Sequence, residues 1–413
     1  MRVKLNGILP TAEEKESSGG EGKIDVEHGC QGATMKDVSL ALKPPMGWNS
    51  WNIFRCYQLT EEAVLGIADA MVESGMRDAG YEYLVVDDCW QAFARESSGK
   101  LRSHPARFPS GMEALGEQIH ARGLKFGLYL SPGHKTCAMI YDRYPARDIG
   151  SFEHEQLDAD TLAGWGVDYL KYDWCEAGRG GTGLTYPEAF SRMAEALART
   201  GRPIVYSISE YGRTKPWEWA ADYGHLWRTT PDIGASWRSV MKLVDRQHGL
   251  AEFAGPGGWN DPDMLEVGNV GINDVEARSH FMLWVMLAAP LMAGNDLRTM
   301  TAATRHTLTH PGLIALSQDS LGRQGSRVAR QGKVELWRRE LADGRVHGIL
   351  NRGGRAVHLQ SRDGGIVLDS GRRLVTDDGQ LVCVWTGEPI DADGWSAALQ
   401  PHEMILIRSD GRH

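Results

Sequence analysis

Acids, a tyrosine and an arginine stand where apolar runs of this chain end. GVDYLKYDWC, from Gly166 to Cys175, stops at Asp173. YLVVDD stops at Asp87 and Asp88, and GLKFGLYLS carries Tyr129. RPIVYSISE stops at Glu210, LWRTTPD offers Arg228 then Asp232, and GPGGWNDPDM holds Asp261 and Asp263. A carboxylate at the carboxyl end of a buried strand is where parallel α/β barrels keep their chemistry. Several acids on one rim suit glycoside or metal chemistry. A strand-end Asp can also merely cap the next helix, but capping does not explain Lys171, Tyr129 and Arg228 at the same rim.

Side chains alternate along a strand, so Lys171 and Asp173 share one side, as do Arg228, Thr230 and Asp232. A cation two residues before an acid keeps that acid ionised, as a carboxylate nucleophile requires, and Asp173 takes that role. A general acid needs a raised pKa. Asp232 lies between Pro231 and Ile233, whose apolar character favours the rise while Arg228 opposes it, and it takes the acid/base role. Carboxyls about 5 to 5.5 Å apart would retain anomeric configuration through a covalent intermediate, whereas about 6.5 to 9.5 Å would invert it.

The elements that position these residues alternate in type. Strands are expected at 46–51, 82–88, 125–131, 167–173, 203–209, 225–230, 258–264 and 288–294. Amphipathic helices lie between them, one behind the N-cap Thr60 (Val64, Ile67, Ala68, Met71, Val72) and one behind Pro187 (Phe190, Met193, Ala194, Leu197), with Gly201 as its stop. Eight such units in roughly 280 residues fit a (β/α)8 TIM barrel over 35–326. From 327 to 413 the runs VELWRREL, RVHGILNR, GIVLD, LVCVW and EMILIRS, punctuated by Asp343-Gly344, Gly353-Gly354 and Asp378-Gly379, read as a small C-terminal antiparallel β-sandwich without a site of its own. Residues 1–34 are too poor in large apolar side chains to fold alone and read as a disordered tail.

A length of 413 residues favours one large domain plus a smaller one. The net charge of -9 and pI near 5.9, without a basic stripe, exclude a nucleic-acid partner. The longest apolar run, from Phe281 to Gly294, is too short for a bilayer span, so no membrane partner is expected. Fourteen Trp and twelve Tyr against eight Phe suit a cleft that stacks on sugar rings. GRGGTG at Gly178 to Gly183 lacks the Lys and Ser/Thr of a phosphate loop and reads as a plain loop. No CxxC, HExxH or paired His spacing occurs, so the six Cys and fourteen His give no zinc signature, and no cofactor is expected. The first residues lack a secretory signal's apolar core, which places the chain as written in the cytoplasm unless its natural start differs, with Met35 an alternative.

PPMGWNSWN, VVDDCW, RFPSGM, KTCA, GVDYLKYDWC, WRTTPDI and AGPGGWNDPDML, in this order from Pro45, together with LIALSQDSLGRQG near Gly325, resemble the motif series of glycoside hydrolase family 27. That family contains α-galactosidases and α-N-acetylgalactosaminidases, and the barrel and sandwich fit its plan. The resemblance implies a retaining, metal-free hydrolase acting on terminal α-galactosides of oligosaccharides or polysaccharides. It makes Asp173 the nucleophile and Asp232 the acid/base, with Trp51 as a pocket wall. Asp87 and Asp88 would hold O4 and O6, Tyr129 and Lys171 would flank the ring, Arg228 would contact O2, and Asp263 would stand behind Arg228. Cys56 with Cys89 and Cys137 with Cys175 occupy positions that are disulfide-bonded in family members, which implies export to the periplasm or beyond. Three features depart from the pattern: LSPGHKTC after Tyr129, Ser209 where Cys is usual, and a long loop, MIYDRYPARDIGSFEHEQ, bearing on the aglycone.

Selection at C2 depends on the space beside Ser209, Glu210 and Tyr211. The bulk of Tyr211 favours galactose over N-acetylgalactosamine, and Asp87 with Asp88 disfavours β-L-arabinopyranosides, which lack O6. Two readings lie outside the family. A Mg²⁺ enzyme would use Asp87, Asp173 and Glu210 and would be silenced by EDTA, and a galactose-binding protein would never turn over.

Overall fold

The computed structural model describes residues 36–175, 182–375 and 379–410. The expected tail over 1–34, Met35, residues 178–181 of the glycine-rich loop and Asp378 of the last expected turn lie outside the described residues.

Eight short parallel strands form the first sheet: β1 (Met46–Asn49), β2 (Tyr83–Val86), β3 (Lys125–Leu130), β4 (Tyr169–Asp173), β5 (Val205–Ser209), β6 (Leu226–Arg228), β7 (Trp259–Asp261) and β8 (Leu291–Ala293). Their order is β7-β6-β5-β4-β3-β2-β1-β8. The two end strands meet just past β7, where Leu265 bridges Ala293 in parallel and donates its N–H to the Met292 carbonyl at 2.8 Å. Each strand is shorter than the apolar run that announced it: in β1, β2, β3, β6, β7 and β8 the last residues of the run leave the ladder for the rim loops, whereas β4 and β5 run to the end of theirs, at Asp173 and Ser209, and lose residues only at the start.

Alternation along the strands separates two environments. Tyr83, Val85, Tyr169, Val205, Leu226 and Met292 plug the amino-terminal end of the barrel. Residues of the other parity, among them Leu84, Leu170, Ile208 and Trp227, pack in the larger core with the surrounding helices. Gly127 fits this plug because a Cβ there would lie 2.8 Å from Val85 Cγ2 and 3.2 Å from Tyr169 Cβ. With the lower barrel filled, inward-pointing residues at the strand ends are left facing a cavity.

The helices begin where their caps require. Thr60 accepts a hydrogen bond from the Ala63 N–H ahead of the helix Glu61–Glu73. Thr185 and Glu188 cap each other's backbone at the start of Tyr186–Thr200, which ends at Gly201 in the left-handed region with φ 70°. A cap of this kind is worth about 1 kcal/mol.

The remaining strands are β9 (Ser326–Gln331), β10 (Val334–Leu341), β11 (Gly344–Asn351), β12 (Val357–Arg362), β13 (Gly365–Leu368), β14 (Arg373–Val375), β15 (Leu381–Cys383), β16 (Pro389–Ile390), β17 (Ser396–Leu399) and β18 (Met404–Asp410). They form antiparallel sheets of six and four strands around Ile349, Leu359, Ile366, Leu381 and Ile407. Trp337, Leu350, Met404 and Leu406 continue the barrel's own core. Arg327 and Arg352 clasp Asp245 of the helix Trp237–Arg246 at 3.0 and 2.7 Å.

Candidate active site

A cavity of about 510 Å³ opens at the carboxyl ends of the strands, and Trp51, Asp87, Asp88, Tyr129, Lys171, Asp173, Tyr211, Arg228, Asp232 and Asp263 all line it. Glu210 is the exception among the expected site residues. It is fully buried and does not line the cavity. One of its carboxylate oxygens accepts from the Thr214 N–H and hydroxyl at 2.8 and 3.0 Å, which turns it into the loop beyond β5. Its other oxygen is buried without a partner.

Strand parity aims the deep residues. Lys171 and Asp173 point inward from β4, and the Lys171 Nζ donates to Asp87 Oδ2 at 2.8 Å and stands 3.7 Å from Asp173 Oδ2. Asp87 is fixed further by Asn49 Nδ2 at 2.7 Å. Asp88 accepts from the N–H groups of Cys89 and Ala138 at 2.7 and 2.8 Å. Tyr129 is buried beneath the Lys171 ammonium, which lies 5.3 Å from its ring centre.

Parity does not explain Asp232. β6 stops at Arg228, and Thr230 turns away to donate its hydroxyl to the Pro262 carbonyl. Arg228 brings Asp232 back, donating one nitrogen to Asp232 at 3.0 Å and to Asp263 at 2.9 Å. Asp263 also accepts from the Ile233 N–H at 2.7 Å, and its φ of 91° is a conformation a non-glycine residue holds only when its surroundings impose it.

The electrostatics reverse the order expected from the sequence. Burial pushes the Asp173 carboxyl above its ordinary value, the Asp232 charge adds to this, and Lys171 opposes without prevailing. Crowding by the pit walls would raise Asp232 too, but Arg228 and then Lys171 outweigh it and hold that carboxyl low. The Asp232 side chain is nevertheless 69% exposed, so water screens these attractions.

Asp88, Glu210 and Glu266 are each pushed up to about 7 by burial. A folded-state pKa above the unfolded value gives stability that is present below the unfolded value and lost as pH rises through the folded one. With ordinary values of 3.8 and 4.5, the loss falls between about pH 4 and 7. Burial lowers His225 and His280 to about 4 and about 3, which adds stability as pH rises toward 6.5 and opposes the acids there. Above that range the acids act without this opposition, so the melting temperature is expected to drop as the buffer moves from about pH 6.5 to about pH 8; a rise over that interval would contradict these buried acids.

Both cysteine pairs are bridged, Cys56 to Cys89 and Cys137 to Cys175, with Cα separations of 5.3 and 4.8 Å. Cys175 follows Asp173 by two residues, so its bridge ties the end of β4 to the helix Cys137–Tyr141. Cys137, Asp173 and Cys175 are the one group among the described residues whose donor atoms gather as metal ligands would. Bridged sulfurs carry no thiolate, so these three do not form a metal centre. Closing the loop between Cys137 and Cys175 contributes about 3 to 4 kcal/mol. Reduction is expected to lower the melting temperature by several degrees, and an unchanged melting curve with free thiols titrated would contradict that. No helix among the described residues is long and apolar enough to cross a membrane.

At the cavity's mouth, Tyr141 and Asp142 belong to the long loop expected to bear on the aglycone, whereas Arg55, Arg213 and Arg246 were not expected there. Arg55, Tyr141, Asp142, Arg213 and Arg246 line it from loops and helix ends. None carries a periodicity that points to it, although Tyr141 and Asp142 lie three and four residues after the KTCA motif.

A parallel eight-stranded barrel whose strand ends gather carboxylates around a sugar-sized cavity defines a glycoside-hydrolase type of site. Residues 43–319 match the family model described as alpha galactosidase A (Melibiase_2), and the chain belongs to this family, glycoside hydrolase family 27. It is 43% identical to α-galactosidase 2 of Arabidopsis thaliana over 84% of each chain. To α-galactosidase A of Cellvibrio japonicus it is 45% identical, over 76% of this chain and 77% of that one. The crystal structure of α-galactosidase I from Mortierella vinacea superposes with a TM-score of 0.80 at 32% identity, covering 90% of this chain and 98% of the other.

Proposed function

We propose that the chain is an α-galactosidase that releases terminal α-linked galactose by double displacement, with Asp173 as nucleophile and Asp232 as acid/base. One observation carries this reading: a buried carboxylate beside Lys171 and an accessible one tethered to Arg228 line the same cavity.

In the first step an Asp173 oxygen attacks the anomeric carbon, the bond from that carbon to the aglycone oxygen breaks, and Asp232 gives that oxygen its proton. Substrate entering the pit displaces water from Asp232, which favours its neutral form against the pull of Arg228. The ester formed on Asp173 carries no charge. That loss removes one force raising the pKa of Asp232, which now accepts a proton from the water that attacks the ester. Galactose leaves with its configuration retained and Asp173 returns as a carboxylate.

Asp87 and Asp88 are assigned to O4 and O6, Lys171 and Tyr129 to the ring, Arg228 to O2, and Trp51 to the wall, while Asp263 fixes Arg228 from behind. The buried orientation of Glu210 leaves Tyr211 as the bulk near C2. An analogue without O6 would strand a buried acid, at a cost of about 1 to 3 kcal/mol. The two bridges favour an oxidising compartment for the working enzyme.

The test is a panel of p-nitrophenyl glycosides. The α-galactoside should exceed the α-N-acetylgalactosaminide and the β-L-arabinopyranoside by about tenfold or more in kcat/KM. Preference for either of the others would overturn the substrate assignment, and binding of galactose without any turnover would overturn the enzyme itself.

A further inference from the structure

The mouth of the cavity differs in charge from its floor. Asp87, Asp88, Asp173 and Asp263 lie deep and are at most 5% exposed, and Lys171 and Arg228 pair with three of them. Arg55, Arg213 and Arg246, by contrast, line the same cavity from exposed positions. Among the described residues none of these three comes within ion-pair distance of an acid. Two are held in place by stacking: Arg55 lies 5.3 Å from the Trp51 ring centre, and Arg213 lies 4.9 Å from that of Tyr211. Guanidinium groups laid on aromatic faces lose little freedom on binding and keep N–H groups for a ligand, although Arg213 shares its edge with the Tyr186 hydroxyl. The acids that oppose them are Asp142, which is partly buried, Asp232, which Arg228 already engages, and the buried Glu266 and Glu210, whose charges Arg55 and Arg213 respectively feel.

A sugar held by the deep acids directs its anomeric oxygen toward Asp232, so the aglycone must occupy the mouth. Building on the proposed activity, we infer that the aglycone subsite formed by Arg55, Arg213 and Arg246 selects α-galactosides whose aglycone carries a negative charge, such as a carboxylate-bearing sugar. The chain's overall net charge of -9 makes a cationic mouth a local feature rather than a consequence of composition. Charge at such a rim acts on capture of the substrate and weakens with salt.

Two substrates that differ only in this charge provide the test: 6-O-α-galactosyl gluconate and 6-O-α-galactosyl glucitol, assayed with the full chain. At low ionic strength the gluconate should be cleaved with a kcat/KM about 5- to 20-fold higher than the glucitol. The ratio should fall toward unity in about 0.5 M NaCl, where screening cuts the reach of these charges to a few ångströms. Arg246→Gln alone should lower the ratio, and Arg55→Gln with Arg213→Gln and Arg246→Gln should abolish it, folding being checked by thermal melts. The salt series on the unaltered protein needs no variant. Equal rates for the two substrates at every salt concentration, with both cleaved, would overturn the charged-aglycone inference and leave the α-galactosidase reading standing. Cleavage of neither would overturn that reading.

Discussion

Asp173→Ala is expected to lower kcat on α-galactosides by about 10⁴-fold or more, because no other group can supply the covalent bond on which both steps depend. The neighbouring acids do not replace it. Asp87 is locked by Asn49 and Lys171, and Asp88 is bonded to two backbone N–H groups. Galactose binding should survive, since the side chains assigned to its hydroxyls are held by bonds that do not involve Asp173. The truncation leaves a hole beside Lys171 large enough for a small anion, so azide should restore turnover and yield β-galactosyl azide. Activity near that of the unaltered protein, with no azide response, would remove Asp173 from the nucleophile's role.

Asp232→Asn should show a different pattern. Substrates with poor leaving groups, such as alkyl and sugar aglycones, should lose about 10²- to 10⁴-fold in kcat/KM, and activated aryl galactosides should lose far less in the first step. The dependence on pH should change as well. The unaltered enzyme needs Asp232 protonated for the first step, so its rate falls as pH rises through the pKa of that group in the complex, and the variant should lack this limb. Equal losses for activated and unactivated aglycones would contradict the assignment. Asn keeps the size of Asp and can still accept from Arg228, so a failure to fold is not the expected outcome.

The barrel was legible because its strands are buried on both sides and stand out as apolar runs. Their ends were harder to place, since Asp87, Asp88 and Thr230 belong to the same runs yet lie in rim loops. Lys171 and Asp173 could be put on one face because β4 extends through both. Asp232 could not be positioned by the same rule, since β6 ends at Arg228 and an ion pair completes the geometry. β9 escaped notice because SRVARQ is a polar edge strand with its side chains largely in solvent. Glu210 misled for a related reason: a run ending in an acid does not reveal whether the carboxyl enters the cavity or folds back onto Thr214. The order of the two pKa shifts was misjudged because burial, which no short motif records, outweighs one neighbouring cation at Asp173.

The covalent bond to Asp173 can be observed directly. A fluorinated galactosyl fluoride whose ester is hydrolysed slowly would accumulate on the enzyme, and peptide mass spectrometry would then locate the added sugar. The account predicts one galactosyl residue per chain, on the peptide that contains Tyr172 and Asp173, at Asp173. An adduct on Asp232, or no adduct from an active enzyme whose first-formed sugar is β-galactose, would contradict it.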